Sequence, residues 1–235
     1  MLTLEEHQSQ KILGFKNAKT EKGEKKDVRT GIVYLAPHKV SGKNLCAFAT
    51  EGCAKACLYS AGRGRFSTIQ QARIKKTRFF LDYREDFMRQ LKSEISRHQR
   101  YCERNNMQCA VRLNGTSDIP WEKVKLDGLS IMEHFPGVQF YDYTKNPHRN
   151  VEALSNYHLT FSRADGNEDH VETAMSNGMN VAVVFRDELP DEYLGRKVID
   201  GDLDDLRFLD GENVVVGLKA KGAAKKDTSG FVVDP

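Results

Sequence analysis

The spacing of apolar residues predicts one long helical segment in the first half of the chain. Residues 67–105 contain no proline or glycine and are rich in helix-forming residues. Apolar side chains recur there at steps of three and four, which is typical of one face of an amphipathic helix: Phe80, Tyr83, Phe87, Leu91 and Ile95. Ser67 is the predicted N-cap. Because a single helix of this length is unusual in a globular domain, we expect a bend or break near residues 82–86.

Seven short runs rich in β-branched and aromatic residues predict strands, most of which end in polar residues. They lie at 30–37, 109–118, 138–144, 157–165, 180–187, 197–202 and 213–222. Short helical patterns stand between several of them, at 129–135, 147–155 and 169–178. Strands that alternate with helices favour parallel pairing through right-handed crossovers. The sequence therefore predicts an α/β fold. We expect a (β/α) barrel, and an incomplete one is compatible with 235 residues because full barrels typically need about 250; an open doubly wound sheet is the alternative.

The residues before the first predicted strand differ in composition from the rest. Residues 14–29 are strongly polar and basic and have no apolar period, which is typical of a flexible arm or of a loop that orders on binding. We therefore predict a basic N-terminal arm, 1–29, and a single (β/α) domain, 30–235. Residues 1–100 hold 21 Lys and Arg against 10 Asp and Glu. A nucleic-acid partner would explain this charge, although basic residues that only solvate a helix would explain it equally well.

Composition narrows the classes of protein to which the chain can belong. At 39% hydrophobic and 29% charged residues it resembles an ordinary globular protein. There is no apolar run of about eighteen residues and no charged-then-apolar leader, so we expect a cytoplasmic protein with no membrane partner. Thiols in a cytoplasm are normally reduced. The five cysteines therefore need an explanation other than disulfides, either burial or a metal.

Three of the cysteines stand close together, directly after the first predicted strand. Cys46, Cys53 and Cys57 lie in CAFATEGCAKAC with the spacing C-x6-C-x3-C. Thiolates select zinc, copper(I) or iron–sulfur clusters. Structural zinc favours four ligands at Cys-x2-4-Cys spacing, and the further candidates all stand at other spacings: His38, Cys102 and Cys109. We therefore predict a [4Fe-4S] cluster with one open iron in the loop 46–57, with zinc as the alternative. Cys109 is the preferred outside candidate for a fourth ligand, and otherwise it and Cys102 are packing residues.

Polar residues at the ends of the predicted strands are candidates for a substrate site. In parallel α/β sheets the functional face is formed by the carboxyl ends of the strands. Arg112, Asn114 and Asp118 lie in the later part of the second predicted strand, and we predict a catalytic role for them. Ser162 and Lys219 end later strands, and we predict that they bind a cofactor. For each of these residues, a turn or cap role is the alternative.

The segment AGRGRF, residues 61–66, stands between the cysteine loop and the predicted helix. Its arginines, Arg63 and Arg65, precede a helix start, where anions are favourably held. The glycine spacing excludes a P-loop and the G-x-G-x-x-G fingerprint. We predict a phosphate or carboxylate clamp at these arginines, with a flexible solvated link as the alternative.

Three blocks of the chain resemble a known family. They are CAFATEGCAKACLYSAGRGRFSTIQQARIKKTRFF, VRLNGTSDIPWE and VVGLKAKGAAKKDTSGFV. These blocks resemble the phage "gene product eighty-eight" family of small bacteriophage and prophage proteins. The resemblance covers nearly the whole chain and implies a phage-encoded protein that works in the cytoplasm of a bacterial host. It specifies neither an activity nor a host partner.

A more remote likeness, in arrangement alone, is to the radical SAM enzymes. They too have a loop of three cysteines that holds a [4Fe-4S] cluster after the first strand of a barrel. Their usual spacing is C-x3-C-x2-C, from which this chain departs. The likeness implies an enzyme that uses S-adenosylmethionine on a small-molecule or nucleic-acid substrate. The alternative is a nucleic-acid-binding phage protein with a structural iron–sulfur or zinc site.

Overall fold

A large, mostly parallel β-sheet dominates the computed structural model, which describes residues 3–15 and 18–235. The strands are β1 Leu13–Gly14, β2 Val28–Val33, β3 Gln108–Arg112, β4 Lys125–Leu126, β5 Leu129–Ser130, β6 Gln139–Thr144, β7 Tyr157–Ser162, β8 Val181–Phe185, β9 Glu192–Tyr193, β10 Arg196–Asp200, β11 Val215–Lys219 and β12 Val232–Val233. The helices are α1 Leu4–Gln8, α2 Ala18–Glu24, α3 Glu51–Lys55, α4 Ser67–Asp82, α5 Arg84–Arg104, α6 Ile131–His134 and α7 Glu168–Ser176.

The main sheet has the strand order β1-β2-β3-β6-β7-β8-β11-β10-β9, and β12 also pairs with β8. Neighbouring strands from β2 to β10 are parallel, whereas β1 and β9 pair antiparallel at the two ends. The strands β4 and β5 form a separate antiparallel pair. The seven predicted strands correspond to β2, β3, β6, β7, β8, β10 and β11. The predicted α/β fold class is therefore confirmed at the level of a mixed fold with a large, mostly parallel sheet.

The largest core cluster lies between this sheet and the helices α4 and α5. Val111 of β3 and Phe140 of β6 face it, and an aromatic group fills its centre, with ring centroids 5.1 Å apart for Phe80 and Trp121. The opposite face of the same strands carries a smaller cluster that includes Ala110 and Tyr141. Burial on both faces explains why the strand sequences are almost continuously apolar.

The predicted break in the long helix is confirmed. Tyr83, with φ −134° and ψ 58°, separates α4 from α5. The predicted N-cap is wrong, because Ser67 is the first helical residue and Phe66, which has no capping side chain, occupies the cap position. None of the helices in the described part of the chain has the length and the apolar content that are needed to cross a membrane.

The helix predicted at 147–155 is also wrong, since these residues, all of them described, form turns. The side-chain oxygen of Asn146 accepts a hydrogen bond from His148 N at 2.9 Å, and that of Asn150 accepts one from Glu152 N at 3.0 Å. Such side-chain bonds offer the backbone an alternative to helical pairing. The apolar spacing of the segment was therefore outweighed by Asn150 within it and by Asn146 just before it. The other two predicted helices correspond to α6 and α7.

The segment predicted as an arm, 1–29, contains α1, β1 and α2 in its described part. The buried carboxylate of Glu94 on α5 accepts hydrogen bonds from Ile12 N at 3.0 Å and Leu13 N at 2.8 Å. Ile12 is fully buried, and β1 pairs with β2. Hydrogen bonds to one buried carboxylate and the burial of Ile12 thus hold a segment that is rich in charged residues. The predicted boundary after residue 29 falls inside a strand, because β2 begins at Val28.

Candidate metal centre

The cysteine loop follows the carboxyl end of β2. Cys46 lies in irregular backbone, Cys53 lies within α3, and Cys57 precedes a short 3-10 helix, Leu58–Ser60. The side chain of Thr50 caps α3 by accepting a hydrogen bond from Cys53 N at 3.2 Å. This cap begins the helix, which ends at Lys55, two residues before Cys57. All three thiols are partly buried and none forms a disulfide.

Backbone N–H groups point at two of the three sulfur atoms. His38 N donates to Cys46 Sγ at 3.3 Å, and Tyr59 N donates to Cys57 Sγ at 3.5 Å. Burial raises the pKa of Cys46 to about 11 and also raises the pKa of Cys57, and these N–H donors only partly oppose it. Thiols in such surroundings become thiolates when a metal binds them, and N–H donors to sulfur are a feature of cluster-binding cysteines.

The three thiols are close enough to influence one another. After burial, the pKa of Cys46 is raised further by the carboxylate of Asp118 and by the thiolate charges of Cys57 and Cys53. Among the described residues, one set of three potential ligands has all its atoms within 4.8 Å of one another, and it does not include the loop cysteines. At least one pair of the loop's sulfur atoms is therefore more than 4.8 Å apart.

Asp165, just after β7, fixes the loop from the neighbouring part of the sheet. Its carboxylate accepts hydrogen bonds from the Thr50 hydroxyl, from Gly52 N at 3.1 Å and from Cys53 N at 3.3 Å. A Cβ at Gly52 would come within 2.5 Å of the Asp165 carboxylate and within 2.1 Å of Ser229 Oγ, so only glycine fits there. One carboxylate thus positions the backbone that leads into Cys53.

Replacing Asp165 with alanine should loosen the loop. Hydrogen bonds to a charged group contribute about 1.5–3 kcal/mol each, so we expect Cys53 to be alkylated on the order of tenfold faster. The measurement is the rate of modification of each cysteine by iodoacetamide, read by peptide mass spectrometry on metal-free reduced protein. The matched control is Asp169→Ala, which removes an exposed carboxylate on α7. Equal rates in the two variants would contradict the positioning role.

Arg112 lies on the sheet face opposite α5, in a buried ion pair. Its guanidinium donates to the Asp205 carboxylate at 2.7 Å, and its central carbon stands 4.8 Å from the Tyr143 ring centroid. The two charged side chains are 15% and 4% exposed. This pairing gives Arg112 a structural role, and the predicted catalytic role stays a prediction.

Asn114 is the centre of a buried hydrogen-bond network. Its side-chain oxygen accepts from Ser117 Oγ, Ile119 N and Trp121 Nε1 at 2.9–3.1 Å, and its amide nitrogen donates to Ile119 O at 2.9 Å. Its backbone N–H donates to Asp142 at 2.7 Å. These hydrogen bonds use both polar atoms of the Asn114 side chain and hold the turn after β3. A catalytic role for Asn114 stays a prediction.

Asp142 should make the protein less stable as the pH rises from about 4 to about 7. Burial raises the pKa of this carboxyl to about 7, against the opposing charges of Arg112 and Arg149. An unfolded aspartate loses its proton near pH 4, so across this range the folded state binds more protons and stability falls by up to about 1.4 kcal/mol per pH unit. Urea denaturation of the wild type and Asp142→Asn at several pH values checks this. The wild-type curve should fall more steeply than that of the variant; parallel curves would contradict it.

Asp118 lies beside the cysteine loop, and its predicted catalytic role stays a prediction. Its backbone N–H donates to Leu45 O at 2.9 Å, and its carboxylate accepts from Lys145 N at 2.8 Å. The ammonium of Lys145 donates to Ser162 Oγ at 2.9 Å, and its charge acts to lower the pKa of Cys57. Asp118 and Ser162 are thus brought together with the cysteine loop, joined by Lys145.

Other predicted site residues lie farther from the cysteines or at the surface. Arg63 and Arg65 are exposed on a short 3-10 helix, Gly62–Arg65, and Lys219 is exposed at the end of β11. Cys109 is the second residue of β3 and faces the helix side of the sheet with Cys102. It lies near the amino end of its strand, whereas the cysteine loop follows the carboxyl end of the parallel strand β2. Because β2 and β3 are parallel, Cys109 lies at the other end of the sheet from the cysteine loop. It therefore does not fit as the fourth ligand of the loop.

Comparison with known proteins gives the family. The sequence model of the family described as Gene product 88 matches residues 8–235. The chain belongs to this family. The match confirms the resemblance to the phage family that the three sequence blocks carry. No curated protein and no solved structure matches this family member.

Sequence reasoning missed one residue of this family member that lies near the thiols, Arg73 on α4. Its guanidinium carbon is 4.9 Å from the ring centroid of Tyr34 and 5.5 Å from that of Tyr59. Its Nε and Nη1 atoms are buried and have no hydrogen-bond partner within the described residues. Its charge acts to lower the pKa of Cys57. Arg73 stands four residues before Thr77, which is buried, so both residues lie on the inward face of α4. This helical spacing was the signal available in the sequence.

Proposed function

We propose that this Gene product 88 protein binds a [4Fe-4S] cluster through Cys46, Cys53 and Cys57. We further propose that it is a radical-SAM-like enzyme in the cytoplasm of the phage's bacterial host. The observation that carries the proposal is the set of three partly buried thiols after β2, two of which accept backbone N–H bonds. Three cysteine ligands leave one iron of a four-iron cluster open, and an open iron would let a cofactor or substrate bind.

The architecture supports an incomplete (β/α) barrel. Six strands, β2, β3, β6, β7, β8 and β11, follow one another across the sheet in chain order. Right-handed crossovers between successive strands place their helices on the same face, which is the arrangement of a barrel wall. A doubly wound sheet instead reverses its strand order at a switch point near the middle. The cysteine loop would then lie at the carboxyl mouth, where barrel enzymes have their sites.

The polar residues around the loop suit an anionic or zwitterionic ligand. Arg73 has buried guanidinium nitrogens without hydrogen-bond partners among the described residues, and Lys145 lies beside Ser162. Arginine binds carboxylates and phosphates in a fixed fork geometry. We infer that these cationic side chains bind the carboxylate of S-adenosylmethionine or an acidic group of the substrate, while Asp118 on the same rim binds a cationic group.

The test is the iron, sulfide and zinc content of protein purified without oxygen, together with its visible spectrum. We expect a brown protein with about four irons and four sulfides per chain. Adding S-adenosylmethionine should change the electron paramagnetic resonance spectrum of the reduced cluster. A colourless protein that holds zinc in the loop would overturn the iron–sulfur proposal. An intact cluster that S-adenosylmethionine leaves unchanged would overturn the radical-SAM-like part alone.

A second candidate function is nucleic-acid binding with a structural iron–sulfur or zinc site. The exposed Phe66, which is 52% accessible, lies 5.6 Å from the guanidinium of Arg65, and Arg63 is exposed nearby. Exposed aromatic rings with adjacent arginines are typical of surfaces that bind single-stranded nucleic acid. Affinity for a single-stranded oligonucleotide should then fall steeply with salt, and Arg63→Ala/Arg65→Ala should reduce the salt slope. Affinity that is independent of salt and of both arginines would exclude this candidate.

A further inference from the structure

We propose that His98, Cys102 and Cys109 form a second metal site, one that binds a single zinc ion and is separate from the cysteine loop. Among the described residues, these three side chains are the set whose ligand atoms all lie within 4.8 Å of one another. They join α5 to β3 on the helix-facing side of the sheet. The site therefore has no residue in common with the proposed cluster.

The secondary structure brings the three ligands together. His98 and Cys102 are four residues apart on α5, so they project from the same face of the helix. Cys109 on β3 faces them after a short connection. The distance from Cys102 Sγ to His98 Nδ1 is 3.6 Å. Tetrahedral zinc with ordinary Zn–S and Zn–N bonds would separate these two atoms by about 3.6 Å.

The histidine ring is held in the orientation that a metal ligand needs. Its Nε2 atom lies 3.1 Å from the carbonyl oxygens of Arg29 and of Ala110, so it carries the proton and donates it to them. The unprotonated Nδ1 then points at Cys102. A ligating histidine commonly donates its other N–H to a backbone carbonyl in this way, which fixes its tautomer. The ring also packs against Phe15, with centroids 4.8 Å apart.

Burial and charge favour a structural ion. His98, Cys102 and Cys109 are 3%, 1% and 6% exposed. Two thiolates and a neutral imidazole balance the charge of a divalent zinc ion, so the loaded site has no net charge to bury. The three protein ligands leave one position of the tetrahedron for water. Zinc here would tie the end of α5 to β3 and so stabilise the main core.

The experiment uses the full chain with Cys46, Cys53 and Cys57 replaced by serine, which removes any metal at the loop. Reduced, metal-free protein is titrated with Co²⁺, which gives near-ultraviolet thiolate absorption, and then with Zn²⁺ in competition. We expect one equivalent to bind and the melting temperature to rise. Adding Cys102→Ser or Cys109→Ser should weaken zinc binding at least about 100-fold. Because the loop thiols are absent, failure of the cluster proposal would not affect this result.

Failure of a folded, reduced loop variant to bind either metal would overturn the proposal. So would binding that is unchanged by Cys102→Ser and by Cys109→Ser. If the loop variant does not fold, the unaltered chain still gives a test, since Cys102→Ser/Cys109→Ser should bind one equivalent of zinc fewer than the unaltered chain does. Equal zinc content in these two folded proteins, each supplied with excess zinc, would also overturn it.

Discussion

Replacing Cys53 with alanine is expected to abolish iron binding and leave the chain folded. Cys53 would supply one of three thiolates, and a cluster held by the other two would lose a ligand on one iron. Alanine suits the position, because the Cys53 side chain packs against a group of buried apolar residues that includes Ala56, Ala164 and Ala220. The measurement is iron and sulfide per chain after anaerobic reconstitution. We expect both to fall close to zero, with unchanged circular dichroism.

The matched control is Lys55→Ala on the same helix. Lys55 forms an exposed ion pair with Glu51, and exposed pairs of this kind contribute little to stability. This variant should retain the wild-type iron content, whereas Cys46→Ala and Cys57→Ala should lose iron as Cys53→Ala does. A Cys53→Ala protein that holds as much iron as the Lys55→Ala control would refute the ligand assignment.

Most strands of the main sheet were predictable because they are short runs buried on both faces, which leaves a clear apolar pattern. The break between α4 and α5 was also predictable from helix length. The turns at 147–155 were not, because apolar spacing there competes with side-chain bonds from Asn146 and Asn150. The order of the N-terminal segment depends on one distant carboxylate, Glu94, which contacts residues about 80 positions away along the chain. The composition of the N-terminal segment therefore could not predict this contact.

The candidate site was predictable where its residues adjoin one another in sequence or end a strand. The three cysteines, Asp118 and Ser162 meet these conditions. The position of Arg73 depends on the packing of a whole helix against Tyr34, and that of Asp165 depends on its contact with Thr50, more than one hundred residues away. Of the polar residues at strand ends, Asp118 lies beside the loop and Ser162 is joined to it through Lys145, whereas Arg112 pairs with Asp205 on the other face of the sheet. Their individual partners follow from tertiary packing, which no short pattern encodes.

Replacing Arg112 with methionine should destabilise the protein by about 3–5 kcal/mol, because it removes the guanidinium that pairs with the buried carboxylate of Asp205. Arg112→Met/Asp205→Asn removes both charges and should recover part of this loss. Urea denaturation of the wild type, the two single variants and the double variant gives the coupling free energy of the pair. The exposed pair Arg89 and Glu85 on α5, treated in the same way, is the control and should give less than about 1 kcal/mol.

The same four proteins, measured for stability and for their response to S-adenosylmethionine, distinguish a structural role of Arg112 from the predicted catalytic role. If the arginine only balances Asp205, the double variant should regain stability and also respond to S-adenosylmethionine as the wild type does. If Arg112 contacts the cofactor or the substrate, stability should return without the spectral response. A coupling free energy as small as that of the exposed pair would contradict the first premise, that the 2.7 Å contact between Arg112 and Asp205 is a strong buried ion pair.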